Sequence, residues 1–425
     1  MIRILRSAQH SRTQLLARQT PQSVVTEQVR QIIDRVRSGG DRALLELAWQ
    51  LDGAELTRLE VTEEEFAEAR KSVEPEFLAV LHRAAEHIRA FHLRQKRQGF
   101  RMEREGLVLG QRILPIQRVG VCVPGGAAPL ASTVLMNVIP AVIAGCEEIV
   151  MVSPAGVSGK LDPHLLAAAE VAGVRRIFKL GGAQGVAAMA YGTESVPRVD
   201  KIVGPGGAYV SEAKRQVFGA VDIDMIAGPS EILVVADGKS DPVWVAADLL
   251  SQAEHDRFAA AILATDSEPL ALAVQAEIER QLPMLPRRDI ARASIDNNGK
   301  ILLCSSIDEA LELSDALAPE HLELCLDEPF AWLERVHHAG SVFLGRHTPE
   351  AMGDYLAGVN HTLPTSGTAR FSSPLSVDDF VHSSQYLCCT PEAMADAAED
   401  VALFARAERL EAHARSALTR KGETP

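Results

Sequence analysis

From about residue 105 the chain repeats one unit: a short β-branched run closed by Gly or Pro, then an Ala-rich stretch with helical spacing. The runs are 119–123, 148–152, 176–180, 201–203, 231–236, 259–264, 301–304 and 341–344. Near-continuous apolar strands that alternate with helices predict parallel sheets covered on both faces. So many strands over about 240 residues exceed what one typical domain holds. The expectation is therefore two Rossmann-like parallel-sheet domains with a seam at Ala227-Gly228-Pro229. The boundaries this gives are a helical N-terminal region at 1–104, α/β domains at 105–228 and 229–385, and a helical tail at 386–425. Within the first region, 24–36 and 43–51 read as helices separated by Gly39-Gly40-Asp41, Thr62 reads as an N-cap, and 77–91 as a further helix.

Composition narrows the partners. With 57 acidic and 43 basic residues the net charge is −14, which argues against nucleic acid and anionic lipid. Only 4% of residues are aromatic, so the cores are built from Ala, Val, Leu and Ile. The longest apolar stretch, 131–146, is interrupted by Asn137, Pro140 and Gly145 and falls short of the roughly 20 residues a membrane helix needs. Six cysteines form no CxxC pair, and Cys388 and Cys389 are adjacent, which fits reduced thiols in a cytoplasm. The first 26 residues hold four arginines and no acid, as a transit peptide does, but Ile4, Leu15, Leu16 and Val24 favour a folded segment.

Several strings carry chemistry. No strand is followed by GxGxxG; the nearest string, 204–209, has Pro205 inside it and Tyr209 where the third glycine belongs. Glycine-rich loops at 124–129 and 181–184 follow strands, where ligands bind in α/β sheets, although plain tight turns have the same composition. Gln252 and His255, three apart, share a helix face and can reach one cation, or simply decorate a solvated helix end. Glu320-His321 pairs a carboxylate with an imidazole that titrates near neutral pH. Asp354 and the 358–365 string concentrate Gly, Asp, Asn, His and Pro beyond a connector's needs. Taken singly, the last two strings read equally well as capped loops.

Together and in this order, VPGGAAPLASTVLMN, GGAQ, DMIAGPSEILVVAD, DLLSQAEHD, APEHLEL, GDYLAG, NHTLPT and ARFSSPLSVDDF resemble the histidinol dehydrogenase family along essentially the whole chain. The resemblance implies oxidation of L-histidinol through L-histidinal to L-histidine, with two NAD and a zinc site at a homodimer interface. By motif, the zinc ligands would be Gln252, His255, Asp354 and His413, the acid-base pair Glu320 and His321, and the substrate contacts Ser132, Ser230, His361 and Glu408, alongside the zinc ligands and His321. Gln184 would contact the cofactor. Cys122 and Gly207 stand where the family usually has tyrosine and asparagine, both facing NAD. Those departures keep open a related zinc and NAD dehydrogenase for another small alcohol, of the sulfopropanediol type. A non-catalytic zinc-binding descendant is a third reading.

Overall fold

The computed structural model describes residues 1–19, 25–125 and 129–421. Its strands, in chain order, are β1 Arg3–Arg6, β2 Phe100–Arg104, β3 Leu107–Pro115, β4 Arg118–Cys122, β5 Glu148–Val152, β6 Arg176–Phe178, β7 Lys201–Val203, β8 Asp222–Ile223, β9 Glu231–Ala236, β10 Ala260–Thr265, β11 Lys300–Leu303, β12 His321–Cys325, β13 Ser341–Leu344 and β14 Val381–Cys389. The chain forms two compact units. The first comprises Met1–Gln95 with Ile116–Phe380. It contains a five-stranded sheet, β6-β5-β4-β7-β8, and a six-stranded sheet, β1-β11-β10-β9-β12-β13, in which all neighbours pair parallel. Every residue of β9 and β10 is buried, as near-continuous apolar strands require of a sheet sandwiched between helices. The flanking helices are rich in Ala, which lets them pack close: Ala131–Ala144 buries ten of its residues, largely against helices Pro75–His92 and Pro163–Ala172 and also on β4.

The second unit comprises Lys96–Pro115 with Val381–Pro425. Here β2 and β3 form an antiparallel hairpin, β14 pairs antiparallel with β3 over nine residues, and helices Pro391–Ala407 and Glu411–Leu418 follow. Its helical core is thin: Ala402, Ala405 and Ala414, with Leu418 against them.

The division differs from the one expected along the sequence. The two parallel sheets share one unit, and the cuts fall at 95, 115 and 380 because β14 joins β3 by main-chain hydrogen bonds across about 270 residues, which no local pattern records. The N-terminal region is not purely helical either. β1 extends the second sheet by pairing with β11. Thr62 does cap the helix Glu63–Ser72, in a reciprocal box with Glu65. The helix Thr26–Leu47 runs through Gly39-Gly40-Asp41 with a break at Gly40 (φ +54), where Asp41 turns to accept hydrogen bonds from Thr193 and Ser195. The start of the expected 24–36 helix and Gly126–Ala128 of the first glycine loop lie outside the described residues. Among the described residues no helix is long and apolar enough to cross a membrane.

Candidate active site

In the five-stranded sheet, β5 and β6 lie on one side of β4 and β7 and β8 on the other, so the switch point falls between β4 and β7. In open α/β sheets ligands bind at such a point, at the carboxyl ends of the strands. The segments after β4 and β7 meet so closely that a Cβ on Gly204, whose φ is +106°, would stand 2.2 Å from the Cys122 carbonyl oxygen. Helices Ala131–Ala144, Gly182–Tyr191 and Ala208–Val217 follow this edge, and none has a side chain capping its N-terminus. Although the Ala131, Thr133 and Val210 N–H groups already donate to the Pro129, Leu130 and Gly207 carbonyls, the positive ends of the helix dipoles favour an anion such as a dinucleotide pyrophosphate. Of the three residues expected to face the cofactor, Gly207 precedes the last of these helices with open space where a Cβ would stand. The other two point inward. Gln184 is 1% exposed and donates Nε2 to Asp52 Oδ2 at 3.2 Å. Cys122 is 4% exposed within an apolar cluster, where burial pushes its thiol up to about 12.

The six-stranded sheet gathers its chemistry at the opposite end, where β9 and β12 begin. Glu231 opens β9, and its backbone holds both members of the Glu-His pair. Its N–H donates to Glu320 Oε2 at 2.9 Å and its carbonyl accepts from His321 Nδ1 at 3.0 Å. A carbonyl only accepts, so this contact assigns the imidazole proton to Nδ1 and leaves Nε2 with a lone pair. Nε2 is buried without a hydrogen-bond partner, 3.7 Å from Glu350 Oε1 and 3.9 Å from Asp354 Oδ1. Burial lowers the His321 pKa to about 4, against the pull of Asp354 and with help from His255 and His361. Burial, then the Asp354 charge, raises Glu320 well above the usual carboxylate range, while Arg18 opposes the shift.

Further residues converge on this pair. Gln252 ends the helix Pro242–Ala253, and the His255 N–H donates to the Gln252 carbonyl at 3.2 Å. Asp354 sits in the wide turn Gly353–Ala357, where a Cβ on Gly353 would strike the Phe343 ring at 2.5 Å. Burial raises the Asp354 pKa, and His321 and His255 are close enough to lower it. His361 donates Nδ1 to the Asp354 carbonyl at 3.1 Å, and Thr133 Oγ1 lies 3.3 Å from its Nε2. The loop around His361 is tied to the helix Ala131–Ala144 and to the segment that leads into β9. Asn360 Nδ2 donates to the Met136 carbonyl at 2.7 Å, Asn137 Nδ2 to Thr362 Oγ1 at 3.2 Å, and the Gly228 N–H to Thr365 Oγ1 at 2.6 Å. Ser132 and Ser230 are half-buried neighbours of Thr133 and Glu231. Glu408 and His413 belong to the second unit; both are exposed, and their side chains make no hydrogen bond or ion pair among the described residues.

The clustered donor atoms suit a divalent cation, although of the ligands expected from the motifs only Asp354 is among them, joined by His321 and Glu350. Ligand atoms of His321, Glu350 and Asp354 lie within 4.8 Å of one another. With the Gln252 amide turned to satisfy its surroundings, its nitrogen lies 2.9 and 3.2 Å from the Glu350 oxygens, which directs its oxygen away from Glu350. That nitrogen is also 3.2 Å from His321 Nδ1, a contact that ranks below the Glu231 carbonyl because the carbonyl can take nothing but the Nδ1 proton. Buried Glu231, Glu320, Glu323 and Glu350, with half-buried Asp354, crowd a region that has Arg18 as its fixed cation. Buried carboxylates in excess call for a compensating cation, and Gln252 and His255 lie at a helix C-terminus, which favours one.

Glu231, Glu350, Arg18 and Thr133 escaped the sequence reading. A signal for Glu231 was present, since a glutamate opens the otherwise apolar run EILVVA. Arg18 and Glu350 had none, because their roles depend on segments far apart in the chain.

Comparison with known proteins gives a consistent result. The family model for histidinol dehydrogenase matches residues 16–421. The chain is similar to histidinol dehydrogenase of Syntrophotalea carbinolica, with 54% identity over 401 residues that cover 94% of this chain and 93% of that one. It is 53% identical to the Bacillus anthracis protein of the same name, over 95% of this chain and 94% of that one. The crystal structure of histidinol dehydrogenase from Elizabethkingia anophelis superposes with a TM-score of 0.93 at 36% identity, covering 99% of this chain and 98% of that one.

Proposed function

The chain belongs to the histidinol dehydrogenase family, and from that premise we propose which of its residues carry the oxidation. The protein is an NAD-dependent oxidoreductase that converts histidinol to histidine in histidine biosynthesis. Taking a primary alcohol to a carboxylate removes two hydrides and requires one water, so the site must accept protons at least twice and activate water once. His321 Nε2 is the proton acceptor in both oxidations. Its free lone pair, with Nδ1 held on the Glu231 carbonyl, is the observation that carries this reading. Glu320 takes a proton from the water that adds to the aldehyde, and His321 then takes one from the resulting diol. NAD, when bound at the edge of the five-stranded sheet, accepts the hydride. Gln252, His255 and Asp354 would hold the zinc, which anchors substrate nitrogen and polarises the reacting oxygen. His361 orients the substrate imidazole, and Ser132 and Ser230 contact the substrate.

Separate half-reactions test the roles. His321→Ala should slow both oxidations by about a hundredfold or more, and Glu320→Gln should slow histidinal oxidation far more than histidinol oxidation. Small, equal losses in both steps from both variants would reduce the pair to a structural one.

Glu408 and His413 are read as supplied by a second copy of the chain. Their unit has little core of its own and exposes Leu387, Leu403, Phe404 and Leu410, a surface that calls for a partner. Mixing inactive Glu408→Ala and His321→Ala chains should restore roughly a quarter of native activity, from one good site in half of the dimers. No recovery in verified mixed dimers would place both residues in one chain's site.

A further inference from the structure

Arg18 is held in place from both flanks. Lys300 Nζ donates to the Leu15 carbonyl at 3.0 Å and also to the Ala17 carbonyl. On the other side, Asn298 accepts from the Gln19 N–H at 2.7 Å and donates to the Gln19 carbonyl at 3.0 Å. A short strap of extended chain between these clamps carries the Arg18 side chain inward to an ion pair with Glu231 Oε2. The Glu231 side chain is 1% exposed, and its other oxygen accepts from the Ser366 N–H at 3.0 Å. Glu231 is also the residue whose N–H grips Glu320 and whose carbonyl grips His321.

One buried carboxylate therefore anchors the start of β9, and one guanidinium from the N-terminal strap holds that carboxylate. A buried carboxylate stripped of its cation either turns toward water or takes up a proton. Either change loosens the segment that aims both catalytic groups.

We propose that Arg18 is a positioning residue for the reaction: through Glu231 it fixes the Glu320–His321 pair, so that its loss falls on the chemical steps, and hardest on the step that needs water. This rests on the roles given above to Glu320 and His321. Histidinol oxidation draws on His321 alone, whereas histidinal oxidation draws on both groups that the Glu231 backbone holds, which singles out the aldehyde step.

The test measures kcat and KM for histidinol, histidinal and NAD in Arg18→Met and Arg18→Lys, with a melting curve for each. Arg18→Met should lower kcat for histidinal at least tenfold and for histidinol less, with the KM for NAD within about twofold of native. Arg18→Lys, which restores the charge, should recover histidinal oxidation to within about threefold of native. Should Arg18→Met not fold, Arg18→Gln keeps a hydrogen bond to Glu231 without the charge and carries the same expectations. A native kcat in the uncharged variant overturns the proposal, and so does an equal loss in Met and Lys variants that tracks a lower melting temperature. Glu320→Gln run alongside separates this from the reading beneath it. A native histidinal rate in Glu320→Gln overturns the role of Glu320 and the proposal with it. A slow Glu320→Gln beside a native-rate Arg18→Met overturns the proposal alone.

Discussion

The two parallel sheets of the first unit place their working residues at opposite ends of their strands. On the five-stranded sheet the glycine segments follow β4 and β7, at the carboxyl edge, where three helices begin without side-chain caps and the positive ends of their dipoles suit an anion. On the six-stranded sheet Glu231 and His321 are the first residues of β9 and β12, at the amino edge, and Gln252 and His255 lie at the end of a helix. One edge is made of backbone and is electropositive; the other is made of side chains, is crowded with carboxylates and suits a cation. On the proposed assignment, the rule that ligands bind at the carboxyl ends of parallel strands would hold for the first sheet and fail for the second. What differs is the sign of the charge to be held.

If that comparison is right, substitutions at the two edges should separate in their kinetics. The largest effect belongs to the acidic edge. Asp354→Asn should lower bound zinc from about one per chain and cut activity on the order of a hundredfold or more, with the KM for NAD nearly unchanged. Metal analysis that finds full zinc in that variant breaks the assignment of this edge to a cation.

At the glycine edge, Gly204→Ala forces a Cβ onto the Cys122 carbonyl at a positive φ. The strain should raise the KM for NAD about tenfold while kcat at saturating NAD holds. A loss of zinc or of kcat instead would show that the two edges are not independent. Smaller and of opposite sign is Gly207→Asn, where the space for a side chain is open. One added hydrogen bond should lower the KM for NAD by about fivefold. A KM that is unchanged or higher would mean that this cofactor edge has settled on glycine.

The smallest effect concerns the strap that serves the acidic edge. Burial lowers the pKa of Lys300 from the ordinary 10.5 to about 8, with Arg3 and Arg18 adding to the shift. Between those values the unfolded chain binds a proton that the folded chain does not, so this lysine's contribution to stability rises with pH from about 8 to 10.5. The melting temperature of the native protein relative to Lys300→Met should therefore climb across that window. A gap that narrows as pH rises would contradict the sign.

The parts legible in the sequence are those governed by local pattern. Near-continuous apolar runs marked β5, β7, β9 and β13 to the residue, because the strands of a helix-covered parallel sheet are largely apolar. β12 was not among them: His321 and Glu323 break its apolar run, since the strand begins inside the site it helps to build. The glycine segments and the Glu-His, QxxH and GDY strings were visible as strings, and their order along the whole chain marked the family. Which of those strings meet was not visible. Burial and mutual distance make Glu320, His321 and Asp354 a site, and both arise from strands paired across about 90 residues, with β1 and the Arg18 strap laid against segments some 280 residues away. Side-chain periodicity is a property of neighbours along the chain, so the sequence by itself determined the elements and the family. The tautomer of His321, the hold of Glu231 on the acid-base pair and the opposite polarity of the two sheet edges were decided by the tertiary structure, because each depends on an electrostatic environment assembled from residues with no local relation to one another.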